Sequence, residues 1–114
     1  MTRDEFQQLM ADTFQELINI NNTKGHDYAG ETDSLANFKD EASVLDLRPE
    51  QVWAVFAGKH WRAIMTFCKE GDVASEPIEG RIHDLIMYGF LLLGIIEDRK
   101  RAHEAFVRNE ELPA

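Results

Sequence analysis

The stretch Leu85 to Ile96, LIMYGFLLLGII, is twelve residues long and carries no charge, and it limits what this chain can fold into more than any other segment. A bilayer crossing needs about 20 apolar residues, so the run is too short to span one and no membrane partner is expected. Wound as a helix it is apolar on all sides, and such a helix has to be covered on every side. Four helices of this size struggle to surround one of their own number. The expected fold is therefore all-α, a four-helix bundle-like single domain that assembles as a homo-oligomer. Gly89 and Gly94 inside the run cost about 1 kcal/mol each in helix propensity, which close backbone packing explains.

The other helices announce themselves by punctuation and period. Thr2 and Glu5 spell a capping box, after which Phe6, Leu9, Met10, Phe14, Leu17 and Ile18 recur at three- and four-residue steps. Helix 1 is placed at about 3–21. Residues 21–33, NNTKGHDYAGETD, have two glycines and no apolar period, and read as a functional loop. Ser34 is expected to cap helix 2, about 34–47, which turns Leu35, Phe38, Ala42 and Leu45 inward. Pro49 suits the first position of helix 3, about 49–70, and Gly71 its left-handed stop. Pro77 is expected to open helix 4, about 77–108.

Across 114 residues, 21 Asp and Glu oppose 12 Lys and Arg, a net charge of −9. Such a field repels a phosphate backbone, so long nucleic acid is not expected as a partner. A small phosphorylated ligand remains compatible, because a few bases or a carboxylate-bound Mg²⁺ reverse the local field. Cys68 is the only cysteine, which leaves no intramolecular disulfide and reads as a packed apolar residue. The opening residues resemble neither a signal peptide nor a transit peptide, so the expected compartment is the cytoplasm.

Several polar residues fall where an apolar face is expected. On helix 3, Val52, Phe56, Ala63 and Phe67 form one face, with Lys59 and His60 on its flanks. Lys59 needs an acidic partner or a ligand phosphate there, unless its amine snorkels to water. His60 reads equally as a satisfied core histidine. At the mouth of the apolar run stand Glu79, Arg81, His83 and Asp84, with Tyr88 one turn beyond Asp84. Asp84 and Glu79 suit Mg²⁺, a hard ion that prefers carboxylates and phosphates. Alternatively, Asp84 closes the bundle through Lys59 or Arg81.

In chain order, Lys24-x-x-Asp27-Tyr28, Leu35-Ala36-Asn37-Phe38, Lys59-His60-x-Arg62, Glu76-x-x-Glu79 and Asp84-x-x-x-Tyr88 span roughly residues 20–98. Together they resemble the small phage and prophage proteins called nucleotide modification associated domains, which are similar in turn to the all-α (MazG-like) nucleoside triphosphate pyrophosphatases. The resemblance implies a nucleotide ligand and a role in phage nucleotide metabolism or counter-defence, in the host cytoplasm. It implies a ligand site of Lys24, His26, Asp27, Tyr28, Asn37, Lys59, His60, Arg62, Arg81 and Tyr88. It further implies Mg²⁺ held by Asp84, Glu79 and Asp27, with Asp84 and Glu79 catalytic. The chain departs from the pyrophosphatases in two ways. Arg81 stands where their second motif has a glutamate, and Glu76-x-x-Glu79 lies beside that motif rather than on an earlier helix. Three functions stay open: a Mg²⁺-dependent pyrophosphohydrolase, a non-catalytic nucleotide-sequestering or regulatory protein, and an acidic interaction module that inhibits a host protein.

Overall fold

The computed structural model describes residues 1–25, 33–71 and 77–111. These fold as α1 (Arg3–Ile20), a π-helical turn (Asn21–Gly25), α2 (Ala36–Leu45), α3 (Pro49–Glu70) and α4 (Ile78–Glu111). The all-α expectation holds: among the described residues there is no strand. None of their helices is long and apolar enough to cross a membrane.

Local chemistry accounts for the helix ends. The Glu5 N–H donates to Thr2 Oγ1 at 3.1 Å, and the Thr2 N–H to Glu5 Oε2 at 3.3 Å, which completes the capping box. Asp33, not Ser34, serves the start of α2, where its Oδ1 accepts the Leu35 N–H at 2.9 Å. The serine sits one residue too far along for that bond. At the other end of α2, Asp46 takes the left-handed conformation, φ 54°. Pro49 opens α3 behind an extended Arg48, whose N–H donates to Gln51 Oε1 at 2.8 Å. Gly71, φ 80°, ends α3 and donates its N–H to the Phe67 carbonyl at 2.7 Å.

The core joins α2, α3 and α4. Leu35, Phe38, Ala42, Val52 and Ile95 are buried together, with Trp53, Tyr88 and Leu91 packed on them. Burying such side chains is worth about 1.5–3 kcal/mol each for the larger ones. Phe38 lies edge-on to both Phe56 and Tyr88, with ring centres 6.4 and 6.2 Å away. A Cβ on Gly94 would stand 3.5 Å from the Leu35 methyls, so the bare backbone lets α4 approach the start of α2. Polar ties fasten the same elements. Lys39 of α2 reaches Asp33 at 2.7 Å and Asp98 of α4 at 2.9 Å. Glu50 of α3 is held by Arg99 of α4 and by Arg48.

Two features depart from a closed bundle. α1 leans on α4 near Phe14 and Phe90, whose rings are 5.8 Å apart, and buries Leu17. Its stripe is uncovered farther up, where Phe6, Leu9 and Met10 are exposed. Nor is the apolar run covered on every side. Ile95 is buried and Leu91 half-buried, while Ile86, Phe90, Leu93 and Ile96 on the opposite side are exposed. α4 is about 51 Å long at 1.5 Å per residue and sets most of the molecule's 62 Å length.

Candidate functional site

Arg81, Asp84 and Tyr88 stand at i, i+3 and i+7 on α4, so they share one face of the helix. His60 of α3 meets that face. Its ring lies 5.2 Å from the Tyr88 ring, centre to centre, and tilted by 37°. Nδ1 of His60 is 3.5 Å from Arg81 Nη1 and 3.6 Å from Asp84 Oδ2. One imidazole nitrogen thus faces both a guanidinium and a carboxylate. As a bare acceptor it suits Arg81, and as an N–H it suits Asp84, so its proton decides which neighbour it favours. The His60 side chain is 15% exposed and that of Asp84 58%, which places the pair at the rim rather than inside the core.

The packing beneath fixes this cluster. The Trp53 indole N–H donates to the Tyr88 carbonyl at 2.6 Å, pinning α3 to α4 at the level of the site. Trp53 is seven residues before His60, so both lie on one face of α3. The inward face of α3 is accordingly turned toward Trp53 and His60 relative to the expected Val52, Phe56, Ala63 and Phe67 stripe. Phe56 remains 37% exposed. Counting only aliphatic and phenyl residues misplaced the face, because Trp and His each bury a ring and keep one polar atom bonded. Burial raises the Tyr88 phenol pKa, and the Asp84 charge raises it further.

The remaining candidates are dispersed. Lys59 is exposed, with its amine 5.7 Å from the centre of the Phe56 ring; it snorkels along that ring instead of meeting the expected carboxylate. Arg62, two residues beyond His60, lies about 160° around α3 from it and folds back over Gly58. Asn37 is exposed in the first turn of α2. Glu79 is exposed and, five residues before Asp84, about 140° away around α4. His26, Asp27, Tyr28 and the Lys24 side chain lie outside the described residues.

This arrangement bears on a metal. Among the described residues no three His, Cys, Asp or Glu side chains come together in a way that would hold an ion. Of the expected Mg²⁺ set, Asp84 faces the cluster, Glu79 diverges from it, and Asp27 is outside the described residues. The described carboxylates alone do not fit the ion.

A concavity of about 520 Å³, away from this cluster, lies between α1 and α4, and the sequence did not signal it. Its walls are Phe14, Leu17, Leu35, Met87, Phe90 and Leu91, and Asp33, Glu97, Asp98 and Arg101 stand on its rim. That volume suits a small ligand. With three acids against Arg101 and the Lys39 amine, which bonds two of them, its mouth does not favour a phosphate. The sequence signal was split across two helices that look unrelated until α1 is placed beside α4.

Comparison with family models, curated proteins and solved structures gives no match for this chain.

Proposed function

We propose that this chain binds a nucleotide at the His60, Arg81, Asp84 and Tyr88 cluster. The observation that carries the reading is the meeting of His60 on α3 with Arg81 on α4, 3.5 Å apart at a half-open rim beside an aromatic ring. A guanidinium binds phosphate through paired N–H donors, and an imidazole N–H beside it adds a further donor. The guanidinium offsets locally the repulsion that a net charge of −9 imposes on an anion. The motif order in the sequence supports a nucleotide over other phosphorylated ligands, and suggests phage nucleotide metabolism or counter-defence in a cytoplasmic, homo-oligomeric protein.

Binding without turnover is the version favoured here. Arg81 stands where a pyrophosphatase of this kind would have a metal-binding glutamate, and Glu79 diverges from Asp84 around the helix. A base in that place supplies positive charge without activating a water molecule. Magnesium-dependent hydrolysis through Asp84, Glu79 and Asp27 is the competing reading. An inhibitory role of the acidic surface toward a host protein is a third.

The test is incubation of the purified chain with a panel of nucleoside triphosphates and cyclic nucleotides, with and without Mg²⁺. Mass spectrometry then reads both the solution and the denatured protein. Intact nucleotide released from the protein, with no product formed, is the expected result. Monophosphate and pyrophosphate that vanish on Asp84→Ala would establish the hydrolase instead. A panel neither retained nor altered would contradict nucleotide binding altogether.

A further inference from the structure

The exposed side of α4 is a regular seam. Ile82, Ile86, Gly89, Leu93 and Ile96 follow one another at steps of four, three, four and three residues, the heptad spacing of helices that wind around a partner helix. Ile82 and Ile86 are each 40% exposed, Leu93 is 63% and Ile96 38%. A side chain added at Gly89 would meet nothing within 4 Å. Among the described residues nothing therefore explains why glycine interrupts this row, although it costs helix propensity at an exposed position.

The chain is open rather than closed on itself. Its accessible area is 8946 Å², whereas a monomer of its 13.1 kDa mass is expected to show about 6,400 Å². Its radius of gyration is 18.0 Å, against about 13 Å for a compact chain of this length.

We infer that a second copy of this chain covers the α4 seam, with the two α4 helices antiparallel about a two-fold axis that passes between Ile86 and Gly89. Paired that way, Ile86 fills the gap over Gly89 of the partner subunit, and Ile82 lies against Leu93 of the partner subunit. The seam is self-complementary because it sets its isoleucine knob opposite its only notch. The parallel alternative places Lys100, the next residue on the same heptad row, against its own copy, where like charges repel. This inference stands on the surface of α4 and is independent of the nucleotide reading.

Analytical ultracentrifugation of the full chain tests it. The wild type is expected to sediment at about twice its 13.1 kDa. Leu93→Glu should halve that mass while the helical circular dichroism persists, whereas Val55→Glu, on an exposed turn of α3, should leave it unchanged. A wild type that sediments as a monomer at every concentration, or a Leu93→Glu variant that keeps the dimer mass, would overturn the proposal. A second test reads direction in the Cys68→Ser background. In the antiparallel pair the two copies of residue 82 are about 16 Å apart along the axis. Oxidation should therefore leave Ile82→Cys uncrosslinked on its own and crosslink it when mixed with Leu93→Cys. Self-crosslinking of Ile82→Cys would establish a parallel pair and refute the proposed arrangement.

Discussion

Replacing Lys39 with methionine isolates the polar tie between Asp33, just before α2, and the long helix. The amine bonds Asp33 at 2.7 Å and Asp98 at 2.9 Å, with 42%, 37% and 42% of the three side chains exposed. At that exposure each pair is worth only a few tenths to 1 kcal/mol, so the expected loss is about 1 kcal/mol, or about 4 °C in Tm. Methionine keeps the packed stem of Lys39, so the loss reports charge rather than volume. Its pH dependence follows from the pKa directions. The Lys39 hydrogen bond, then that of the Leu35 N–H, holds Asp33 below the usual carboxylate range. Its contribution is present above the unfolded value of about 3.9 and disappears as pH falls through the lower folded value. Asp33 first, then Asp98, raises the Lys39 pKa. That contribution is full below the unfolded value of about 10.4 and is lost as pH rises through the folded one. Urea unfolding of wild type and Lys39→Met at neutral and acid pH, in low and high salt, measures the difference. It should be largest at neutral pH in dilute salt and shrink toward zero in acid and at about 1 M salt, where screening reaches about 3 Å. A difference that stays constant across all four conditions would refute the ion-pair account and assign Lys39 a packing role.

Other perturbations read other parts of the structure. Trp53→Phe removes the donor to the Tyr88 carbonyl and part of the core, and should cost about 2 kcal/mol in denaturant unfolding; a loss under about 0.5 kcal/mol would mean that the 2.6 Å bond does not tie α3 to α4. Asp46→Gly should stabilise the chain by up to about 1 kcal/mol, because Asp46 holds a left-handed conformation that glycine adopts without strain; an unchanged midpoint would contradict that. In a spectrophotometric titration Tyr88 should ionise above the ordinary value of about 10. Asp84→Asn should lower that midpoint only in part, since burial is the larger cause. Complete reversion to the ordinary value in that variant would show the carboxylate, not burial, to dominate.

The helices were legible because their boundaries are set by local chemistry: Thr2 with Glu5, Pro49, Gly71 and the three-four period all act within a turn or two. The cap of α2 was misread: Leu35 stands at the N-cap with no side-chain cap bond, and Asp33, two residues before it, accepts its N–H. The positions of candidate residues were legible where the helix period brings them to one face, as with Asp84 and Tyr88. What the period cannot give is the rotation of one helix against another. That rotation brings His60 rather than Lys59 to Arg81, leaves Arg62 on the far side of α3, and turns Ile86 and Leu93 of the all-apolar run outward. Trp53 carried a signal in its seven-residue step to His60, masked because an indole is not counted among simple aliphatic residues. The cavity between α1 and α4 depends on a long-range pairing that has no local signature.

The most direct test of the account is isothermal titration of the nucleotide retained best by the wild-type protein into three variants: Arg81→Gln, His60→Gln and Arg62→Gln. Losing one charge-assisted bond to phosphate should weaken binding about 10- to 100-fold in each of the first two. Arg62→Gln should bind like the wild type, since Arg62 lies away from the cluster. Equal affinity in all three variants, or a loss confined to Arg62→Gln, would contradict the assignment of the His60 and Arg81 cluster as the nucleotide site.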